Sequence, residues 1–412
     1  MALVLPFRAV RPHRQFVSQV AALPYDVMTR EEAKIAVGGK PLSFMHVEKS
    51  EIDVPDQTKS NDAMIYETAK RNFNQMLKEG VLFQDESPCF YIYRQQMGVQ
   101  VQTGIVGVVS TREYDEGKIK KHELTRQDKE KDRISHVSTV NAQTGPVFIT
   151  YQSRPQLNAV VDGITATNPE YDFTAEDGVI HTAWLVRDTQ QVEEIKNEFS
   201  AIDALYIADG HHRAAAASFV ARMKRKNDNS RDIQEYEKVL AVLFPHNQLR
   251  VMDYNRAVQD LNGLTPQEFK EKISSRFTIN KNFTAKSPQR FHDFGMYLEG
   301  QWYQLTIKKG AYNDGDPVAR LDAAILQEHL LAPVLGINDP RTDDRIKFIG
   351  GIRGMAELEK MVDKDGFTVA FSLYPTTIEQ VMQVADAGAI MPPKSTWFEP
   401  KLRSGIFVHK LS

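Results

Sequence analysis

One segment of the chain constrains its fold more than any other: an apolar run ends in a tight Asp-Gly turn, and an alanine-rich stretch begins directly after it. Residues 204–208 have the length and composition of a buried strand. The stretch that starts at His211 carries four consecutive alanines and ends in basic residues, which favours a helix. A strand that leads straight into a helix is typical of sheets covered by helices, so we expect an α/β or α+β fold.

The rest of the chain alternates between strand-like and helix-like segments, and at about 150 residues per domain its length predicts two or three domains. We expect an α/β core over residues 1–250, which carries the turn. Residues 251–320 are expected to form an insertion or lid with a β-hairpin, and residues 321–412 a further α/β segment. This last segment is expected to return to the site through Lys394, Ser395 and Thr396.

Composition excludes several classes of protein. The 51 basic and 54 acidic side chains give a net charge of −3, so no nucleic-acid partner is expected. The single cysteine, Cys89, excludes a disulfide framework and a cysteine-based zinc site within one chain, and it fits a cytoplasmic protein. No stretch approaches 18 apolar residues and the first residues do not resemble a signal peptide, so no membrane partner is expected.

The Asp-Gly-His-His-Arg turn carries the strongest chemical signal. It joins the carboxyl end of a strand to a helix N-terminus, where N–H groups and the helix dipole favour an anion. Gly210 lets the backbone approach a ligand, and Arg213 can bind a phosphate in a bidentate manner. His211 and His212 can donate hydrogen bonds or shuttle a proton, and Asp209 can hold Mg²⁺ or orient a hydroxyl group. The alternative is that Asp209 merely caps the helix and both histidines are solvated.

Three further segments contain groups that suit phosphate chemistry, and each has a structural alternative. The loop with Lys394, Ser395 and Thr396 is stiffened by prolines, and it either binds a phosphoryl group or crosses the surface as a proline-rich tail. The charged residues 120–133 either present a few cations to the site or form a solvated helix face. The Pro-Tyr-Asp segment at residues 24–26 either contributes a carboxylate or forms a structural turn.

Taken together, these segments resemble the DUF1015 family of bacterial and archaeal proteins. The resemblance covers essentially the whole chain and lies in five motifs: Leu-Pro-Phe-Arg-Ala at 5–9, Pro-Tyr-Asp-Val at 24–27, Lys-His-Glu-Leu-Thr at 121–125, Ala-Asp-Gly-His-His-Arg at 208–213 and Met-Pro-Pro-Lys-Ser-Thr at 391–396. Family members often have a proline where this chain has Leu23, a departure that affects no chemistry.

The Asp-Gly-His-His-Arg turn is also similar to that of free serine kinases of the ParB/sulfiredoxin-like superfamily, which phosphorylate L-serine to O-phospho-L-serine. The resemblance implies a ParB/sulfiredoxin-like core with large insertions and a less regular central segment. It also implies a serine kinase that uses Mg²⁺ and inorganic pyrophosphate, or ATP or ADP, as donor. Two alternatives stay open: a phosphoserine phosphatase that uses water as acceptor, and a non-catalytic nucleotide-binding module like ParB. A homodimer would be common for such a chain.

The resemblance and the local chemistry together assign roles to individual residues. Asp209, His211 and Glu123 are expected to be catalytic, with Asp209 also the Mg²⁺ ligand. Tyr25 and Asp26 are expected to bind the acceptor. The phosphate or the donor is expected to contact Gly210, His212, Arg213, Lys394, Ser395, Thr396, Lys121 and His122. No motif places the base for the hydroxyl proton; we predict Glu123, followed by Glu31 or Glu32.

Overall fold

Mixed β-sheets flanked by helices build the chain, which confirms the expected α/β class. The structure, a computed structural model, describes residues 2–412. Two units are distinguished: the first runs to Leu249 and resumes over Pro400–Ser412, and the second is Arg250–Glu399. Among the described residues, we find no helix with the length and hydropathy needed to cross a membrane.

The Asp-Gly turn belongs to the largest sheet of the first unit, which contains nine strands among the described residues. Eight of them follow one path across the sheet, in the order Ile119–Lys120, Leu205–Asp209, Val147–Tyr151, Lys238–Pro245, Gln100–Ser110, Phe90–Met97, Ile180–Val186 and Tyr171–Thr174. The ninth, Val4–Leu5, pairs with Gln100–Ser110. Ile207 and Leu243 are fully buried, because the middle strands have both faces covered.

Helices cover this sheet through apolar faces, and Leu157, Phe199 and Ala217 pack into one core with the strands. The α-helices of the first unit are Val17–Val20, Arg30–Ala36, Met45–Glu48, Ala63–Lys78, Thr111–Asp115, Gln127–Val140, Pro155–Thr165, Thr189–Ser200 and His211–Arg225. Short 3₁₀ helices span Ser50–Asp53, Glu235–Glu237 and His246–Gln248. Two small antiparallel pairs complete the unit: Val10–Pro12 with Leu82–Gln84, and Ala142–Gln143 with His409–Lys410.

The second unit is built on a six-stranded antiparallel sheet. Its strand order is Phe277–Lys281, Gln301–Ile307, Asp293–Leu298, Val369–Leu373, Tyr254–Val258 and Ile346–Gly350. Gln301–Ile307 and Asp293–Leu298 form the β-hairpin expected within residues 251–320. The boundary expected at residue 320 falls inside this sheet, because Tyr254–Val258 pairs with both later strands.

The remaining elements of the second unit are short. Its α-helices are Pro266–Ile273, Asp322–Leu326, Met355–Asp363 and Ile378–Asp386, with a π-helical turn at Gln327–Leu331 and a 3₁₀ turn at Gly351–Arg353. Val251–Met252 pairs with Trp397–Phe398.

Gly405, in the final segment of the first unit, is expected to tolerate no side chain. Its φ is +84°, and a Cβ atom would come within 2.6 Å of Phe44 Cβ. We expect Gly405→Ala to lower the free energy of unfolding by about 2–5 kcal/mol, through backbone strain and overpacking. Gly39→Ala is the matched control, because Gly39 also has a positive φ, +74°, but no atom within 4 Å of a Cβ. Urea denaturation measures both variants, and equal losses would contradict the prediction.

Candidate active site

Two neighbouring strands end at the same edge of the first unit's sheet and bring the Asp-Gly turn beside the Lys-His-Glu segment. Leu205–Asp209 pairs in parallel with Ile119–Lys120, so the residues that follow both strands emerge side by side. On its other side Leu205–Asp209 pairs with Val147–Tyr151, and the register shifts between Ile207 and Asp209. A β-bulge of this kind re-aims the next side chain, which here is Asp209.

Asp209 forms an ion pair rather than a helix cap. Its Oδ2 accepts a hydrogen bond from Lys401 Nζ at 2.9 Å, and its Oδ1 accepts one from the Gly210 backbone N–H at 2.8 Å. Gly210 has a φ of +92° and gives the helix His211–Arg225 no side-chain cap. Burial alone would raise the pKa of Asp209, but Lys401 and Arg213 outweigh it and hold the pKa well below its usual range. The carboxylate is therefore ionised, and the uncapped helix N-terminus favours an anion.

Two buried imidazoles and a carboxylate meet beside this ion pair. The His122 and His211 ring centroids lie 4.6 Å apart at 89°, and His211 Nδ1 lies 4.0 Å from Glu123 Oε2. The Ile207 backbone lies near His122 but makes no hydrogen bond of ordinary geometry with it, so both of its ring nitrogens lack a partner, as does His211 Nε2. Burial lowers the pKa of His122 to about 4 and that of His211 well below its usual range. Both rings are neutral at pH 7.

His212 has a defined tautomer in this arrangement. Its Nε2 accepts a hydrogen bond from the Arg126 backbone N–H at 3.0 Å. Burial lowers the pKa of His212, so the neutral ring predominates and carries its proton on Nδ1. His212 therefore provides an N–H donor in the first turn of the helix.

The Pro-Tyr-Asp segment lies against the same turn. Arg213 Nη2 is 3.8 Å from Asp26 Oδ1, and the guanidinium lies 5.7 Å from the Tyr25 ring centroid. Arg213 Nη1 donates a hydrogen bond to the Pro146 carbonyl at 2.8 Å, which orients the guanidinium. The structure thus brings Tyr25 and Asp26 together with Arg213, and their role in binding the acceptor stays a prediction.

A buried glutamate that the sequence analysis did not single out lies close to Arg213. Glu48 is 1% exposed and accepts a hydrogen bond from Thr144 Oγ1. Arg133 Nη1 lies 4.0 Å from Glu48 Oε1, and its guanidinium lies 3.9 Å from the Tyr25 ring centroid. Burial alone would raise the pKa of Glu48, but Arg133 and Arg213 hold it below its usual range. Glu48 is therefore a buried counter-ion shared by two arginines.

A cleft of about 250 Å³ opens beside these residues. Tyr25, Glu48 and Arg133 line it together with Asp128 and Lys129. A polar cleft of this volume is large enough for a small charged ligand.

Lys121 lies near His211, whose pKa it helps to lower, whereas Glu31 and Glu32 belong to a separate helix. Lys121 Nζ is 4.7 Å from the Tyr114 ring centroid. Glu31 and Glu32 lie in the first turn of the helix Arg30–Ala36, where Glu32 forms a capping box with Thr29. The capping box gives Glu32 a structural role, and the role of Glu31 or Glu32 as the base stays a prediction.

Lys394, Ser395 and Thr396 belong to the second unit. Lys394 Nζ lies 5.7 Å from the Tyr254 ring centroid, and Ser395 Oγ donates a hydrogen bond to the Pro392 carbonyl at 2.6 Å. Their role in donor binding stays a prediction.

His136 makes the stability of the fold dependent on pH. It is 2% exposed, and burial lowers its pKa to about 4. Because an unfolded histidine titrates near about 6.5, its contribution to stability is complete above that pH and is lost as the pH falls towards 4. We expect His136 to account for a loss of about 2 kcal/mol between pH 7 and pH 5. The urea midpoint of His136→Gln should fall less between pH 7 and pH 5 than that of the unaltered chain. An equal fall in both proteins would contradict the prediction.

Comparison with protein families decides where this chain belongs. The family described as a protein of unknown function, DUF1015, matches residues 4–324. The chain belongs to the DUF1015 family. The matched range contains the Pro-Tyr-Asp, Lys-His-Glu and Asp-Gly-His-His-Arg segments and confirms the resemblance drawn from them. No curated protein matches the chain.

Three solved structures that are similar to this DUF1015 chain are distant from it. A mutant of free serine kinase in complex with AMP is 14% identical, with a TM-score of 0.39 over 73% of this chain and 91% of its own. A conserved hypothetical protein from Pyrococcus furiosus is 13% identical, with a TM-score of 0.35 over 73% and 94%. C-terminally truncated SbnI from Staphylococcus aureus is 10% identical, with a TM-score of 0.37 over 73% and 85%. Likenesses this distant transfer no chemistry to the DUF1015 chain.

Sequence reasoning assigned no individual role to three side chains of the site: Lys401, Glu48 and Arg133. Lys401 lies in a segment whose cations did attract attention, but its Asp209 partner is 192 residues away. Arg133 shares the buried face of the helix Gln127–Val140 with other residues at helical spacing, and a charged residue in such a position is a usable signal. Glu48 gives no local signal.

Proposed function

We propose that this DUF1015 chain transfers a phosphoryl group from pyrophosphate, or from ATP or ADP, to the hydroxyl group of free L-serine. The observation that carries the proposal is the Asp209–Lys401 ion pair at the N-terminus of a 15-residue helix, beside two buried neutral imidazoles. Phosphoryl transfer needs positioning and charge neutralisation more than covalent chemistry, and this arrangement supports both. L-Serine is chosen on the resemblance to free serine kinases, and pyrophosphate because no adenine pocket is evident in the sequence.

In this proposal each group of the site has its own role in the reaction. The helix N–H groups, Lys401 and Arg213 hold the transferring phosphate, and His211 and His212 donate hydrogen bonds to it. Asp209 orients the serine hydroxyl while it fixes the Lys401 ammonium. Both cations are largely buried, which strengthens their interaction with phosphate.

The hydroxyl proton passes to a carboxylate. Asp209 is a poor acceptor, because its pKa lies well below the usual range. Glu123 and Asp26 border the turn and are the two candidates. Asp26 also lies next to Tyr25, which supports this side of the turn as the place where L-serine binds.

Mg²⁺ enters the proposal with the donor, bound to the phosphate oxygens. Asp209 fits poorly as its protein ligand, since Lys401 already compensates the negative charge of that carboxylate. Once bound, Mg²⁺ would neutralise charge on the donor.

A donor screen tests the proposed function. The full chain is incubated with L-serine and Mg²⁺, and separately with pyrophosphate, ATP or ADP, and O-phospho-L-serine is measured by mass spectrometry. Product with one donor is the expected result and identifies reaction, acceptor and donor together. Release of phosphate from O-phospho-L-serine without an acceptor would favour a phosphohydrolase instead. Nucleotide binding without turnover would favour a non-catalytic module.

A further inference from the structure

We infer that His122, Glu123 and His211 form a binding site for a divalent transition-metal ion such as Zn²⁺. One ligand atom from each residue lies within 4.8 Å of the other two. Among residues 2–412, this is the one group of three or more histidine, cysteine or acidic side chains with such geometry. The site is distinct from the Mg²⁺ that accompanies a phosphate donor.

The ring nitrogens of this cluster indicate a ligand other than a protein group. His122 is 2% exposed and His211 4% exposed, yet three of their ring nitrogens have no hydrogen-bond partner among the described residues. Leaving a buried polar atom unpaired costs about 1–3 kcal/mol, and such atoms are rare in native proteins. An ion bound by one nitrogen of His122 removes part of this cost.

The geometry is close to that of a loaded site. Two ligand atoms at about 2.1 Å from one ion lie no more than about 4.2 Å apart. His211 Nδ1 and Glu123 Oε2 already satisfy this at 4.0 Å. The two ligand atoms that lie farthest apart must approach each other by about half an ångström. The Glu123 side chain is 42% exposed, which leaves it room to move.

The ligand set favours one class of metal. Two imidazoles and one carboxylate suit Zn²⁺, Fe²⁺ or Co²⁺, whereas Mg²⁺ and Ca²⁺ prefer oxygen ligands alone. Three protein ligands also leave coordination positions open for a further ligand. Asp209 is excluded from the set, because its oxygens are held by Lys401 and by the Gly210 backbone.

The role of the ion in the reaction rests on the proposed function. The binding of the ion does not depend on that function. In the proposed reaction the open position takes a phosphate oxygen of the donor. Glu123 then acts as a ligand, and Asp26 is left as the acceptor of the hydroxyl proton. Metal binding without substrate is independent of that reaction.

Isothermal titration of the metal-free full chain with Zn²⁺, and with Co²⁺ monitored by its visible absorption, tests the inference. We expect one ion per chain and no competition from millimolar Mg²⁺. Glu123→Gln and His122→Asn should each weaken Zn²⁺ affinity by at least about 10- to 100-fold, because loss of an outer-shell partner alone has an effect of this size. Glu123→Gln removes only a partly exposed charge, so it keeps the test valid where His122→Asn does not fold.

Two matched variants serve as controls for metal affinity. His13→Ala removes an exposed histidine that stacks on Phe83, and Asp209→Asn removes the neighbouring carboxylate. His13→Ala should bind Zn²⁺ as the unaltered chain does. Asp209→Asn should lose less affinity than Glu123→Gln, because Asp209 acts on the two rings only through its charge. Absence of binding, unchanged affinity in Glu123→Gln, or an equal loss in Asp209→Asn would each overturn the inference. Zn²⁺ binding with the expected pattern but no phosphoserine from any donor would instead overturn the proposed function.

Discussion

Replacing Asp209 with asparagine is expected to lower kcat/KM for phosphoryl transfer to L-serine by about 100- to 1,000-fold. The substitution keeps the shape of the side chain but removes the charge that holds Lys401 Nζ at 2.9 Å. The ammonium group then loses its fixed position, and a cation that must reorganise stabilises the transition state less. Steady-state kinetics with the active donor measure the effect.

Asp203→Asn is the matched control, because Asp203 is exposed and lies just before the same strand. It should leave kcat/KM unchanged. Lys401→Met, alone and combined with Asp209→Asn, shows whether the pair works as a unit. In that case kcat/KM of the double variant is little lower than that of either single variant. A loss of less than about tenfold in Asp209→Asn would remove Asp209 from the mechanism.

Replacing Glu48 with glutamine is expected to lower the free energy of unfolding by about 3–5 kcal/mol, the usual effect of removing one partner from a buried ion pair. The amide keeps the size of the side chain and can still accept the hydrogen bond from Thr144. Arg133 and Arg213, however, lose the most deeply buried of the charges that compensate them and keep only Asp132 and Asp26. Urea denaturation at pH 7 measures the loss.

Glu67→Gln provides the comparison, since Glu67 is an exposed glutamate on the helix Ala63–Lys78. It should change stability by less than about 0.5 kcal/mol. If Glu48→Gln were as stable as Glu67→Gln, Glu48 would not be the counter-ion of the two arginines.

Local signals were sufficient to predict many elements of the fold. The apolar run predicts the strand Leu205–Asp209, and the alanine-rich stretch predicts the helix His211–Arg225. Both signals lie in residues that are neighbours in sequence. The capping boxes at Thr29 and Thr265 are likewise set by residues only three positions apart. The bulge before Asp209 was not predictable, since it depends on pairing with Val147–Tyr151.

The site was predictable only where its residues are close in sequence to a recognisable motif. His122 and Glu123 could be connected with the Asp-Gly turn through the family resemblance, and parallel strand pairing accounts for their proximity. Lys401 and Glu48 lie in polar segments that look solvated, and only tertiary packing buries them. Propensity and periodicity contain no information about such distant partners.

The ion pair between Asp209 and Lys401 has a consequence for protein synthesis. The ribosome must add the whole of Arg250–Glu399 after the Asp-Gly turn before it reaches Lys401. A nascent chain that has already completed the nine-stranded sheet therefore still lacks the lysine that neutralises Asp209. Messages that stop translation within Arg250–Glu399 yield a polypeptide that contains all nine strands of this sheet but lacks Lys401.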